Sequence, residues 1–500
     1  MKKRRATATS LSPAILRILS SLALGMFLAA LDQTVMSTAG PTIATHFGQL
    51  TNQSWLLTSY LLASLITTPI YGRLSDGFGR RPLFIFALLL FSLGSIFAAI
   101  APSFNFLILS RTIQGLGAGG LLSLAFAVIS DVVPPRQRAR YILVFVAVFG
   151  SSSLLGPIVG GVIATQNSIL GIAGWRWIFI LNIPISIIAI YRALRYLQVK
   201  QELHRHSFDW WGVSLFSVFV LSLLLISQSP ESGSVNQWRP YLIPLLLVSA
   251  ILFIFIEGRL GDSALIPLHF FRNRLFVITL TASAISGAAM FVGLVVIPLS
   301  VQVVHGESPA VAGMILIPMG VGNLIGSGLA SRSVAKTGYY KWLATVGLCA
   351  FSIGFMLLYL SPQLWAVILA VMSLGFGSGL VTQFASVVAP HALGHRHRGS
   401  GSAINTFARQ FGGVLGVGIS LAAIFQLWKS HGTLTAASLK LAGNSLRNLN
   451  PDTRTGFLVA SHPVYLVSAL LLLGVALLTL WISNEKLEPS ESPESLKSET

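Results

Sequence analysis

Three charged residues stand inside long apolar stretches of this 500-residue sequence: Asp32 in Leu31-Asp32-Gln33-Thr34-Val35, Arg111 in Arg111-Thr112-Ile113-Gln114-Gly115, and Arg409 in Arg409-Gln410-Phe411-Gly412-Gly413. Asp32 reads as the only acid well inside any such stretch. A carboxyl group in apolar surroundings holds its proton more tightly, and beside a guanidinium less tightly. A carboxylate set between the two influences can take up and return a proton as its surroundings change. Arg111 is the natural tuning partner, because an arginine in an apolar segment must face protein or a cavity and find a counter-charge. Gln114, three residues on, falls on the same helix face. The alternative is a permanently ionised Asp32–Arg111 structural pair. Gln114, Asn323, Gln383, Asn405 and Arg409 are the polar side chains expected to line a substrate cavity.

These residues need elements that carry them through an apolar medium. The chain is 54% hydrophobic and only 10% charged, against roughly 25% charged residues in soluble proteins. That balance excludes a soluble globule, a disordered chain and a disulfide scaffold. The single cysteine, Cys349, permits no intrachain disulfide, and no Cys/His spacing suggests zinc. A membrane-crossing helix needs about 20 mainly apolar residues. Fourteen stretches qualify: 18–38, 55–72, 83–101, 106–130, 141–165, 176–193, 210–227, 240–257, 276–298, 310–331, 342–360, 364–388, 401–427 and 463–482. The fold class is therefore an all-α membrane protein.

The net charge of +18 admits a nucleic-acid partner until the charges are assigned to loops. With fourteen spans both termini share one side. That side holds 25 of the 33 Lys and Arg residues; the other side holds Arg176, Arg239, Lys429, Lys440, Arg447 and Arg454. Positive loops stay in the cytoplasm, so both termini are expected there, in a multi-pass protein of the cell membrane with no nucleic-acid partner. Lys2-Lys3-Arg4-Arg5 leads into an uninterrupted apolar run with no small-residue cleavage site, which does not read as a cleavable signal. In the loop 428–462, Leu439, Ala442, Leu446 and Leu449 recur at helical spacing, although a solvated loop is the simpler reading. The tail 485–500, rich in Glu, Ser and Pro, reads as disordered.

The chain also repeats itself. Gly115, Gly117 and Gly119 in span 4 recur as Gly375, Gly377 and Gly379 in span 12, an offset of 260. Gly72-Arg73 and Gly79-Arg80-Arg81, between spans 2 and 3, have a fainter echo in Ser331-Arg332, Gly338 and Lys341 between spans 10 and 11. Pro41 and Pro298 close spans 1 and 9. The agreement in offset predicts two six-helix bundles, residues 1–207 and 276–484, with a two-helix insert at 208–275. Two bundles around a midplane cavity can rock to alternate access between the two sides.

Gly72-Arg73-Leu74-Ser75-Asp76-Gly77-Phe78-Gly79-Arg80-Arg81-Pro82-Leu83 is the most specific string. It resembles the signature loop of the major facilitator superfamily at its Gly, Asp and Arg positions. The resemblance implies a cytoplasmic gate of Gly72, Arg73, Asp76, Gly79, Arg80 and Arg81, with Asp76 docking near the start of span 13 and Arg80 reaching Asp131. Ala335 stands where the second half would carry the acid. The Arg111 string is similar to the superfamily's span-4 motif, whose arginine is linked to proton coupling. Span 5 carries Gly150, Gly156-Pro157 and Gly160-Gly161, similar to the motif of exporters in this superfamily, with Ser152 where many members have glycine. Trp175-Arg176-Trp177-Ile178-Phe179-Ile180-Leu181-Asn182-Ile183-Pro184 and the Gly399…Gly413 string resemble markers of the fourteen-span drug:proton antiporter branch. On residue type alone, Trp175, Trp177, Trp55 and Tyr60 read as interfacial anchors.

The resemblance implies a major facilitator fold and a proton-coupled antiporter that exports small amphiphilic compounds, with Asp32 as proton site and Arg111 beside it. It is not an enzyme, and the proton gradient would stand in for any cofactor: no Walker loop is present. In a cell with an outer membrane, a periplasmic adaptor would be a further partner. A dedicated permease or lipid exporter of the same fold, and a non-transporting sensor, remain alternatives at this stage. Gly115-Leu116-Gly117-Ala118-Gly119-Gly120 follows an arginine-bearing span rather than a strand, so it is no dinucleotide loop. His391, His395 and His397, beside Arg396 and Arg398, read as loop charge rather than metal ligands. Met372 stands roughly where Arg111 would repeat, and no further acids occur in spans 10 and 13.

Overall fold

The computed structural model describes residues 13–132, 135–197, 210–227, 233–261, 267–393, 398–430, 446 and 449–482. The tail 485–500 and most of the loop between spans 13 and 14 lie outside these residues.

Among the described residues the chain is helical almost throughout. The helices are α1 (Pro13–His46), α2 (Ser54–Phe78), α3 (Arg80–Ala99), α4 (Phe104–Val132), α5 (Pro135–Thr165), α6 (Arg176–Ile180), α7 (Asn182–Tyr196), α8 (Trp210–Ser227), α9 (Gly233–Leu260) and α10 (Arg274–Val304). They continue with α11 (Pro309–Ile315), α12 (Ile317–Thr337), α13 (Lys341–Leu360), α14 (Leu364–Ala392), α15 (Arg398–Ser430) and α16 (Pro451–Thr479). α6 and α7 form one broken span, as do α11 and α12. Eleven spans are long and apolar enough to cross a membrane; α5 and α8 hold shorter apolar cores, Gly150–Thr165 and Trp211–Leu223. The face on which α1 begins is called the near face, and the face on which it ends the far face.

Most of the helices extend beyond the apolar stretches that predicted them. α16 begins at Pro451, not 463, so the end of the expected solvated loop is helical. Leu446 and Leu449 of that loop are buried, whereas Leu439 and Ala442 lie outside the described residues. α9 runs past 257 to Leu260, which places Glu257 inside a helix and fully buried. Glu257 lies three residues from the end of α9, whereas Asp32 lies near the middle of α1.

The repeat in the sequence is a repeat in packing. Within the first half α1 packs on α4, α5 and α7, while α4 packs on α2 and α3. Within the second half α10 packs on α14, α15 and α16, while α14 packs on α12 and α13. The glycine ladder explains why the offset is held. A Cβ on Gly115 would lie 2.3 Å from the Tyr60 carbonyl oxygen of α2, and one on Gly117 2.4 Å from that of Ala87 in α3. In the second half a Cβ on Gly375 would lie 2.0 Å from the Met319 carbonyl oxygen of α12, and one on Gly377 2.5 Å from that of Gly347 in α13. Small residues let backbones approach in membranes, where van der Waals packing rather than the hydrophobic effect holds helices together. α8 packs on α9 and also reaches α2 and α15.

The two halves meet toward the far face. A Cβ on Gly161 of α5 would lie 2.3 Å from the Pro309 carbonyl oxygen, and one on Gly313 of α11 2.1 Å from that of Pro157. Gln302 Nε2 of α10 donates to the Thr38 carbonyl oxygen of α1 at 3.3 Å. On its other side α5 packs against α1: a Cβ on Gly156 would meet Thr34 Oγ1 at 2.0 Å, and Thr38 Oγ1 donates to the Pro157 carbonyl oxygen at 3.0 Å. Gly156, Gly160 and Gly161 of span 5 thus leave no room for a Cβ, whereas one on Gly150 would have Leu324 Cδ2 at 3.9 Å as its nearest neighbour. Gly161→Val is expected to prevent the far-face closure seen here. In a Cys349→Ser background, a Thr38→Cys reporter, buried in the closed form, should react several-fold faster with a membrane-impermeant maleimide. Equal rates with and without the valine would contradict this role.

Candidate functional site

Asp32 lies near the middle of α1 and is 1% exposed; Arg111 and Gln114 of α4 are not exposed at all. Arg111 Nη1 donates to Asp32 Oδ2 in an ion pair buried on both sides. The same Nη1 donates to Gln114 Oε1 at 2.6 Å. Gln114 Nε2 in turn donates to Asp32 Oδ1 at 2.8 Å and to Ser95 Oγ of α3 at 2.9 Å. Asn182 Nδ2, from the first turn of α7, donates to Asp32 Oδ1 at 3.0 Å. Arg111 is held from behind: its Nε donates to the Leu56 carbonyl oxygen at 2.9 Å, and its guanidinium lies 4.5 Å from the Tyr60 ring centroid and 5.9 Å from that of Phe179. Arg111 Nη2 has no acceptor.

Every group that faces the Asp32 carboxylate is an N–H donor, the complement of an ionised, acceptor-only carboxylate. The amide orientation of Gln114 is fixed by consistency, since its oxygen must meet Arg111 and its nitrogen Asp32 and Ser95. Oδ1 accepts two of these bonds and Oδ2 one, so the carboxylate ties α1 to both α4 and α7.

The sequence paired Asp32 with Arg111 and put Gln114 on the arginine's helix face; Gln114, expected to line a substrate cavity, is instead fully buried and bonded to both. The sequence missed Asn182, Ser95 and Tyr60 as members of the network. Tyr60, expected at the interface, is buried under Arg111, and its hydroxyl donates to the Ala29 carbonyl oxygen at 2.9 Å. Trp175 is likewise buried, in a cluster with His46, Phe47 and Phe179. The available signal for Asn182 was a polar residue just before Pro184, where a proline two residues into a helix permits a break between α6 and α7.

The remaining expected cavity residues lie in the second half and do not join this network. Asn323 Nδ2 donates to Ser378 Oγ at 3.2 Å. Asn405 Oδ1 accepts from Ser283 Oγ at 2.5 Å, a bond between α15 and α10. A Cβ on Gly287 would meet the Arg409 carbonyl oxygen at 2.0 Å, so this part of α15 is pressed against α10. The Arg409 side chain is half-buried, and no carboxylate among the described residues pairs with it. Gln383 is also half-buried.

At the near face α2 passes into α3 through Gly79 alone, whose φ of 90° lies in the region that favours glycine. A Cβ on Gly72 would meet nothing within 4 Å, so no neighbour presses on this position. Arg80 Nη1 donates to Ser75 Oγ and, at 3.3 Å, to the Gly72 carbonyl oxygen, bridging the turn. The side chains of Arg73, Asp76 and Asp131 lie outside the described residues, and with them the expected contacts of Asp76 with span 13 and of Arg80 with Asp131.

Residues 22–417 match the model of the Major Facilitator Superfamily. The chain belongs to the major facilitator superfamily. Its relatives in that superfamily include the Multidrug resistance protein 3 of Bacillus subtilis, 34% identical over 409 residues that cover 80% of this chain and 78% of the relative. The Multidrug transporter protein MdtP of the same organism is 30% identical, over 80% of this chain and 73% of the relative. Among solved major facilitator structures, an inward-facing bacterial homologue of the human lysosomal transporter Spinster superposes with a TM-score of 0.66 at 17% identity, covering 96% of this chain and all of that one. The major facilitator fold is thus shared well beyond recognisable sequence identity. As a superfamily member the protein is a multi-pass membrane transporter of the multidrug type, not an enzyme.

Proposed function

We propose that the protein is a proton-coupled antiporter of fourteen spans that exports amphiphilic compounds by alternating access, with Asp32 as its proton site. The observation that carries this reading is the sequestered Asp32 carboxylate, met only by donors from α4 and α7. The two six-helix bundles are α1–α7 and α10–α16, with α8–α9 as the insert. The near face, which gathers most of the Lys and Arg residues, is read as cytoplasmic. Far-face closure at Gly161 and Gly313 then corresponds to a state closed to the outside.

The cycle follows from the donor set. With Asp32 ionised and paired, α1, α4 and α7 are tied together. Opening toward the outside loosens a donor and lets Asp32 take a proton. Return to the cytoplasm-facing state restores the pair, expels the proton and leaves the cavity free for substrate. The energy source is the proton gradient, and neither cofactor nor metal takes part in the scheme. The test is proton flux in proteoliposomes: outward substrate movement should drive proton entry in exchange, and substrate movement without proton movement would remove the assignment.

Substrate charge follows from the same residues. Arg111 neutralises Asp32, and the half-buried Arg409 has no carboxylate partner among the described residues. A cavity of this balance repels dications and accepts neutral or weakly acidic lipophiles. In whole cells expressing the protein, efflux of a neutral lipophilic dye should exceed that of a divalent cationic dye of similar size. Equal rates would contradict the assigned cavity charge.

A further inference from the structure

Where α1, α3 and α7 meet at the near face, away from Asp32, arginines of α3 and α7 gather beside α1 with no acid paired to them among the described residues. Arg192 of α7 donates through Nη2 to Ser20 Oγ of α1 at 2.6 Å, and Ser20 Oγ donates to the Arg17 carbonyl oxygen at 2.7 Å. Arg81 of α3 donates through Nη2 to the Leu194 carbonyl oxygen of α7 at 2.5 Å. Arg195 donates to Tyr191 Oη at 3.0 Å, and both Arg192 and Arg195 lie against the Tyr196 ring, at 5.5 and 5.8 Å from its centroid. No carboxylate among the described residues pairs with any of these arginines. Arg192 Nε has no acceptor.

The surface beside them is apolar. Ile187, Ile188, Tyr191 and Leu194 of α7 are each about half exposed or more. They form a stripe at helical spacing that ends in Arg192 and Arg195. At 1.5 Å per residue, Ile187 to Arg195 spans about 12 Å along the helix. An acyl chain lying along this stripe brings its phosphate level with the guanidiniums. A planar guanidinium matches a phosphate with two parallel hydrogen bonds, and basic pockets between membrane helices favour anionic headgroups.

We propose that the Arg81–Arg192–Arg195 cluster at the near-face junction of α1, α3 and α7 binds the phosphate headgroup of an anionic phospholipid. The bound phosphate would bridge α1 and α7, the helices that carry Asp32 and its donor Asn182, some two or more helical turns from that pair. Diffuse positive charge, which every near-face loop supplies, predicts no such localisation.

The test is native mass spectrometry of the detergent-purified full chain titrated with a phosphatidylglycerol, a phosphatidylcholine or inorganic phosphate. The wild type should retain one phosphatidylglycerol, and Arg192→Gln/Arg195→Gln should need about thirtyfold more lipid for the same occupancy, at roughly 1 kcal/mol for each of the two cations near the surface. Arg192→Lys/Arg195→Lys should restore most of the binding. Arg259→Gln/Arg272→Gln, which removes equal charge from the same face, should bind as the wild type does. The proposal is overturned if the control variant weakens as much, if phosphatidylcholine is retained equally, or if inorganic phosphate displaces the lipid at the same concentration. Should the double glutamine variant elute as aggregate in gel filtration, the lysine variant and the single Arg195→Gln variant decide: Arg195 is exposed, and its loss should weaken retention several-fold, with no change counting against the site.

Discussion

Asp32→Asn is expected to abolish gradient-driven transport while leaving the protein in the membrane. Asparagine keeps the shape of the side chain and one acceptor oxygen, so Arg111 Nη1 and one amide can still be met. It cannot exchange a proton in the working pH range, and its amide nitrogen faces N–H donors where Asp32 presented a second acceptor. Purified wild-type protein should release protons when substrate is added, as read by a pH-sensitive dye, and the variant should release none. Substrate binding itself should persist, because Asp32 and its donors Arg111, Gln114 and Asn182 are buried in this state. Undiminished proton-driven efflux by Asp32→Asn would remove Asp32 as the proton site.

Arg111→Ala should be the most destabilising single change at this site. It leaves the carboxylate buried with two amide donors and no counter-charge, and breaking a buried pair this way costs about 3–5 kcal/mol. It also removes the Nε bond to the Leu56 carbonyl and the packing of the guanidinium against Tyr60, a contact worth about 2 kcal/mol when desolvated. Arg111→Lys keeps the charge but cannot reach Asp32, Gln114 and Leu56 together, because a single ammonium replaces a planar fork. The expected order of Tm is wild type, then lysine, then alanine, measured on protein in detergent. Pairing Arg111→Gln with Asp32→Asn should recover part of the loss, since neither partner is then left charged and alone. A double variant less stable than Arg111→Ala would show that the pair is not the dominant interaction.

Much of this site was legible because charges in apolar segments have few places to go. Asp32 and Arg111 had to find each other or leave the membrane interior, and Gln114 shared the arginine's helix face. The network's other half was not legible in the same way. Asn182 is 150 residues from Asp32, and nothing in its local pattern separates a ligand of a carboxylate from a polar residue at a helix break. Tyr60 shows the same limit: an aromatic near the start of a span is usually an anchor, and only the crossing of α2 over α4, allowed by Gly115, puts it under the guanidinium.

The sequence by itself determined the class of molecule, the paths of the helices, the repeat and the buried pair. These follow from hydropathy, from the cost of a lone charge in lipid and from a fixed offset between glycines, all of them properties of one segment or of a simple comparison between two. Only the tertiary structure decided which glycines are contacts. Gly156, Gly160 and Gly161 touch another helix, whereas Gly72 and Gly150 of equally recognisable motifs do not. It also decided that the halves close at the far face, that Asp32 has a donor from α7, and that Glu257 is buried. The physical reason is common to all four. A residue type states what an approach would permit, but whether two backbones come close enough to exclude a Cβ depends on the crossing of helices far apart in the chain.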